Sequence, residues 1–263
     1  MSGYVATQPD AYERSMGRWS RLLAARVVET LDLPRGGAIL DAGCGTGALA
    51  GAIAACDPTA RITGVDVSEP FLAAARARLP GATFRHGDLT RLADPDAAYD
   101  AAISLLVLQF VADRAAAAAE LVRVTRPGGL VAAAMWDFVG GFTFVRAFAD
   151  AIAATEPDGD AFRARYLGDS MGSPGRLGAL LAGAGVLDVA EQDVAIRQEF
   201  RDFDDLWQPW LTGQGVAGAY VAALDPGRRV RVEALMRRGY LAGAPDGPRS
   251  FVAVARLAVG RKA

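Results

Sequence analysis

The stretch Ile39-Leu40-Asp41-Ala42-Gly43-Cys44-Gly45-Thr46-Gly47 constrains this chain more than any other segment. Two apolar residues and an acid lead into three glycines at alternate positions, and the Ala-rich segment Ala48 to Ala55 follows. The order reads as strand, tight turn, helix. Glycines let a turn adopt positive φ and let a ligand approach bare backbone at a helix N-terminus. An acid just before such a turn would repel a phosphate, but it suits a ligand carrying an ammonium group. About twenty residues on, Val65-Asp66-Val67 closes the next apolar run, where an acid in a parallel nucleotide-binding sheet takes ribose hydroxyls. A dinucleotide-binding fold competes with this reading, because Gly43, Gly45 and Ala48 also satisfy G-x-G-x-x-A.

The following segments separate the two. Phe84-Arg85-His86-Gly87-Asp88-Leu89 is a strand ending in Gly-Asp. Tyr99 to Leu106 is a strand opening after a Tyr-Asp pair. Leu121 to Val131 is a helix that ends in Arg126-Pro127-Gly128-Gly129 before another strand. Taken in order with the glycine turn and Asp66, these motifs resemble the class I S-adenosylmethionine (SAM)-dependent methyltransferases. Within them they resemble the branch that includes ubiquinone/menaquinone-biosynthesis enzymes. The resemblance covers about residues 36–136. The segment Met16-Gly17-Arg18-Trp19-Ser20-Arg21 is similar to a bacterial subgroup of the same proteins.

The resemblance implies transfer of the SAM methyl group to a small-molecule acceptor, with S-adenosylhomocysteine as product. It implies that Gly43, Gly45 and Gly47 approach the cofactor and that Asp41 sits below its amino group. Asp66 takes the ribose hydroxyls, with Val67 beside it. Asp88 accepts from the adenine amino group, and Leu89 offers its backbone N–H. Ser104 and Gln109 end the cofactor set; the Gln109 amide is equally readable as a polar residue at a helix start. A macromolecule methyltransferase acting on RNA or protein, or a non-catalytic SAM- or nucleotide-binding module, is the alternative.

The apolar rhythm supports a doubly wound, seven-stranded, mostly parallel α/β sheet of the Rossmann-like methyltransferase type. It has a helical N-terminal cap and helical lid insertions. Strands are expected near 38–42, 61–66, 82–86, 99–105 and 129–136, a sixth within 186–200, and a last one over Phe251–Ala255. The resemblance places that last strand antiparallel between the fifth and sixth. Tyr12 to Leu33 reads as one helix, stopped by Pro34-Arg35-Gly36-Gly37. The whole chain, 1–263, is expected to be one domain. It divides into a cap over about 1–34, a SAM-binding core over about 36–136, and insertions over about 138–173 and 202–245. The cap and the later insertion are expected to close over the pocket, with Tyr12, Arg18, Trp207 and Trp210 touching substrate.

No catalytic residue stands out. The one histidine, His86, lies two positions before Asp88 and so belongs beside the adenine site rather than the methyl group. Methyl transfer from a sulfonium is an in-line displacement that orientation and dehydration can accelerate. A phenol or carbon acid would want a base, with Tyr12, Glu13 or an acid from the late insertions as candidates. One histidine and two cysteines form no metal-ligand cluster. A formal net charge of −2 offers nucleic acid no basic field. No signal peptide or membrane-length apolar run is evident, so a soluble, cytoplasmic, bacterial protein with no nucleic-acid or membrane partner is expected.

Overall fold

The computed structural model describes residues 8–213 and 215–263. Seven strands form one sheet in the order β3-β2-β1-β4-β5-β7-β6. They are β1 (Ala38–Ala42), β2 (Arg61–Asp66), β3 (Thr83–His86), β4 (Tyr99–Leu105), β5 (Thr125–Trp136), β6 (Val186–Phe200) and β7 (Arg249–Lys262). β1 to β5 are parallel, and β7 runs antiparallel between β5 and β6. This is the expected doubly wound sheet, with strand order reversing between β1 and β4. In such sheets ligands lie outside the carboxyl ends of the strands at that reversal.

Alternation along the central strands sorts the core into two layers. Ile39, Ile103 and Ala132 face the helix Arg18–Thr30, while Leu40, Ala102 and Val131 face the helix Arg114–Val124. The run Ala132-Ala133-Ala134 is buried on both faces. Such small side chains let helices pack closely on each side.

The N-terminal helix departs from expectation. It is not continuous from Tyr12 to Leu33: a short helix, Pro9–Tyr12, leads through a π-helical turn, Glu13–Gly17, into Arg18–Thr30. A Cβ on Gly17 would lie 2.7 Å from the Glu13 carboxyl carbon, so the turn closes around that side chain. Such π-turns insert a residue and re-aim the helix face, often beside functional sites. β7 runs beyond the expected Phe251–Ala255: Arg256 pairs with Asp193, its register partner on β6, and Leu257 and Ala258 are buried in the two opposite core layers. Two helices, Gly159–Gly168 and Gly215–Ala223, carry no clear apolar period and were not foreseen. Among the described residues no helix is long and apolar enough to cross a membrane.

Candidate functional site

A cavity of about 850 Å³ opens at the carboxyl ends of β1, β2 and β4. That is near the top of the roughly 300–1,000 Å³ range of small-molecule sites. Its floor is the glycine turn. Gly43, Gly45 and Gly47 have φ of +80°, +52° and +82°, where side chains are strained. A Cβ on Gly43 would collide with the Val107 side chain, whereas one on Gly45 would meet nothing closer than Phe71 at 3.7 Å. Gly45 thus leaves open space over the turn, while Gly43 is small for packing as well.

Asp41 ends β1 and is almost fully buried. Its Oδ2 accepts from the Ala50 N–H at 3.0 Å, inside the helix Ala48–Cys56. Its Oδ1 is buried without a hydrogen-bond partner on a residue that lines the cavity. Burial pushes the carboxyl up to about 7, despite the Ala50 bond that pulls it down; the nearby Asp66 adds to the rise. Buried polar atoms are nearly always satisfied, so such an orphan oxygen points to a missing donor. A cationic ammonium fits it in charge and in hydrogen-bonding capacity.

Asp66 ends β2 on the same wall. Its two oxygens accept from the Gly45 N–H at 2.9 Å and the Ser68 N–H at 2.8 Å, which fixes the carboxylate beside the turn. Burial raises its pKa against those bonds. Val67 lines the cavity with 63 % of its surface exposed. An apolar side chain left this open suits the face of a flat base. Asp88 is exposed, with one oxygen bonded to the Thr90 amide and hydroxyl at 2.8 and 2.9 Å, and Leu89 beside it is buried; both line the cavity.

Other expectations are corrected. Gly47 lies off the cavity wall, where a Cβ would sit 3.3 Å from Ala75 Cβ; it starts the helix and packs it. Ser104 also lies off the wall, on the opposite face of β4, fully buried in register with Ala133. Gln109 is fully buried and spent on structure. Its Nε2 donates to the Asp169 carbonyl and its Oε1 accepts from the Met171 N–H, each at 2.6 Å. Trp207 stacks on Phe203 inside the core and does not reach the cavity, whereas Trp210 does. The two rings touch edge to face at 5.7 Å between centroids, with Trp207 on the core side and Trp210 on the cavity side.

From the amino-terminal side Tyr12 and Arg18 both reach the wall. The Tyr12 hydroxyl lies 2.9 Å from Ser20 Oγ. Arg18 donates from one nitrogen to both oxygens of Asp205 at 3.0 and 3.1 Å, and lies 4.3 Å over the Trp19 ring. It ties the N-terminal helix to the later segment. Glu13 is bonded by Thr46 Oγ1 and paired with Arg21 and Arg78, so it braces the glycine turn and is not placed as a base. His86 is exposed at the end of β3 and off the wall. Among the described residues no cluster of His, Cys, Asp or Glu could hold a metal ion. Residues 1–7 of the expected cover, and Gln214, lie outside the described residues.

The sequence reading missed the aromatic wall: Trp136, Phe138, Phe142, Phe144 and Tyr166. One signal was available for Trp136, which closes β5 at the carboxyl edge of the sheet.

Residues 40–133 match the family model described as a methyltransferase domain. With the sheet order above, this match identifies a methyltransferase domain over that part of the chain. The chain is 37 % identical over 158 residues to trans-aconitate 2-methyltransferase of Variovorax paradoxus, covering 59 % of this chain and 60 % of that one. It is 28 % identical over 257 residues to nocamycin O-methyltransferase of Saccharothrix syringae, covering 90 % and 89 %. Its fold is similar, with TM-score 0.59 and 15 % identity, to a Haemonchus contortus phosphoethanolamine N-methyltransferase solved with S-adenosylhomocysteine, covering 98 % of this chain and 58 % of that one. The chain spans 60 %, 35 % and 36 % of the lengths of three curated relatives it matches.

Proposed function

We propose that the protein transfers a methyl group from SAM to a small-molecule acceptor, leaving S-adenosylhomocysteine. The observation that carries this is the unpartnered buried oxygen of Asp41 on a wall shared with Asp66 and Asp88. Three carboxylates at successive strand ends offer acceptors for an ammonium, a pair of hydroxyls and an adenine amino group. Charged acceptors make the stronger hydrogen bonds. Bound SAM supplies a sulfonium methyl, an electrophile that needs no activation by the protein. Gly43 and Gly45 leave backbone bare for close approach, Val67 offers a face to the base, and Leu89 offers its amide.

With SAM held by Asp41, Asp66 and Asp88, its methyl would be presented to an acceptor lone pair on the aromatic side of the cavity, and no side chain of the described wall is placed as a base. The apolar wall holds the acceptor and excludes bulk water, the two effects such a displacement needs. The segments 138–173 and 202–245, with the N-terminal helix, form this wall and act as its cover, with Arg18–Asp205 as the tie; Tyr12 and Trp210 are the substrate contacts. Support for a small acceptor comes from the nocamycin and trans-aconitate enzymes, named for small molecules. The finer kinship to the ubiquinone/menaquinone branch is part of the proposal, and its support is the motif order alone. Isothermal titration with SAM, S-adenosylhomocysteine and NADPH tests it. The first two should bind and NADPH should not; the reverse would make the chain a dinucleotide-binding protein.

A further inference from the structure

We propose that the acceptor is an uncharged, flat, oxygen-bearing ring molecule and not a polycarboxylate. This deepens the methyl-transfer reading and rests on it. The first argument is charge. Among the described residues, beyond the three aspartates read as cofactor acceptors, the cavity wall carries two acids, Glu69 and Asp113, against one cation, Arg18. Arg18 is already committed: besides the two carboxylate oxygens of Asp205 it holds the Asp205 carbonyl at 3.1 Å. A polycarboxylate would meet one guanidinium whose two terminal nitrogens are held by Asp205, leaving only its Nε for several carboxylates, and unpaired charge in a low-dielectric cavity is costly. A protonated amine, which that wall would attract, has no lone pair to receive a methyl group.

The second argument is shape and chemistry. The aromatic rings form a continuous run. Centroids are 6.2 Å apart for Tyr166–Phe138, 5.9 Å for Phe138–Phe142, 4.9 Å for Phe142–Phe144 and 5.7 Å for Phe144–Trp210, with Trp136 4.9 Å from Phe142. Such faces take flat rings by offset stacking or edge contact. The polar groups set among them are neutral donors. The indole N–H groups of Trp19 and Trp136, both on the wall, are buried without a partner. Leaving a buried donor unmade costs about 1–3 kcal/mol, which an acceptor atom on the ligand would recover. Burial raises the Tyr166 phenol, so it stays protonated and donates. Apolar faces with two or three neutral donors describe a ring system bearing carbonyl, ether or hydroxyl oxygens.

The test uses wild-type protein saturated with S-adenosylhomocysteine, titrated with flavone as the neutral planar probe and with trans-aconitate as the tricarboxylate. Binding is followed by tryptophan fluorescence and calorimetry. Flavone should bind at least about a hundredfold more tightly than trans-aconitate. Trp136→Phe keeps the ring and removes the N–H, and Tyr166→Phe removes the hydroxyl. Each should weaken flavone about three- to tenfold, with S-adenosylhomocysteine affinity and circular dichroism unchanged. Comparable or tighter binding of trans-aconitate, no binding of flavone, or wild-type flavone affinity in both variants would overturn the proposal. Failure of S-adenosylhomocysteine to bind would overturn the methyltransferase reading instead.

Discussion

Replacing Asp41 with Asn probes the ammonium site through its pH dependence. Asp41 is held at about 7 by burial, against an ordinary 3.8. A raised folded-state pKa gives stability that is complete below the unfolded value and is lost as pH rises through the folded one. The ligand-free protein should therefore lose stability between about pH 4 and 7 from this group, by up to about 4 kcal/mol. Asp41→Asn removes that loss, so its melting temperature should exceed wild type at pH 8 and approach it by pH 5. Binding runs the other way. An ammonium beside Asp41 favours the carboxylate, so wild type must release a proton to bind when the pH is below 7. Its affinity for S-adenosylhomocysteine should fall about fivefold from pH 7 to pH 6, a range in which the ligand's α-amino group, with pKa about 8, stays mostly protonated. Calorimetry in buffers of different ionisation enthalpy should show release of about half a proton at pH 7. The Asn variant should bind roughly tenfold or more weakly, having lost a charged hydrogen bond, and show no such pH dependence between 6 and 7. Wild-type affinity that is flat over this range, with a variant within twofold of it, would refute the assignment of Asp41 to the ammonium.

Asp66→Ala should weaken S-adenosylhomocysteine at least about tenfold by calorimetry, through lost ribose bonds and a loosened Gly45 amide. Gly45→Val should lose cofactor binding, because a β-branched side chain is strained at positive φ and would stand in the cavity; normal affinity in a variant that folds by circular dichroism would remove the turn from the site. Arg228→Ala should lower the denaturant midpoint, because it removes the nearer of two ion-pair partners from Glu156, whose side chain is fully buried, and leaves only Arg231 at 3.8 Å; an unchanged midpoint would show that Arg231 suffices.

The central sheet was legible in the sequence because each strand is a short apolar run bounded by Gly, Pro or Asp. β1, β2 and β4 fall where the residues place them. The three aspartates were legible because strand ends in a parallel sheet converge on one edge. What escaped depended on contacts distant in the chain. Nothing local to Gln109 tells that its amide will be consumed by Asp169 and Met171, about sixty residues on. Trp207 and Trp210 share a helical spacing and touch, yet only Trp210 reaches the cavity, because Trp207 is packed on Phe203 on its core side. At the π-turn Glu13–Gly17, Arg21, Arg78 and Thr46, all outside the turn, grip Glu13. Tyr166 sits on a helix with almost no apolar period, so its place on the cavity wall follows from tertiary packing against Phe138 and Phe162.

The most direct test of the cofactor site is a crystal structure of the protein with S-adenosylhomocysteine. The expected result has the ligand's amino group within about 2.7–3.2 Å of Asp41 Oδ1 or one water away, the ribose hydroxyls on Asp66, and the adenine between Val67 and Asp88. Its sulfur should face the aromatic wall that contains Trp136 and Tyr166. A ligand bound elsewhere, or bound in this cavity with its amino group away from Asp41 and its ribose away from Asp66, would contradict the account.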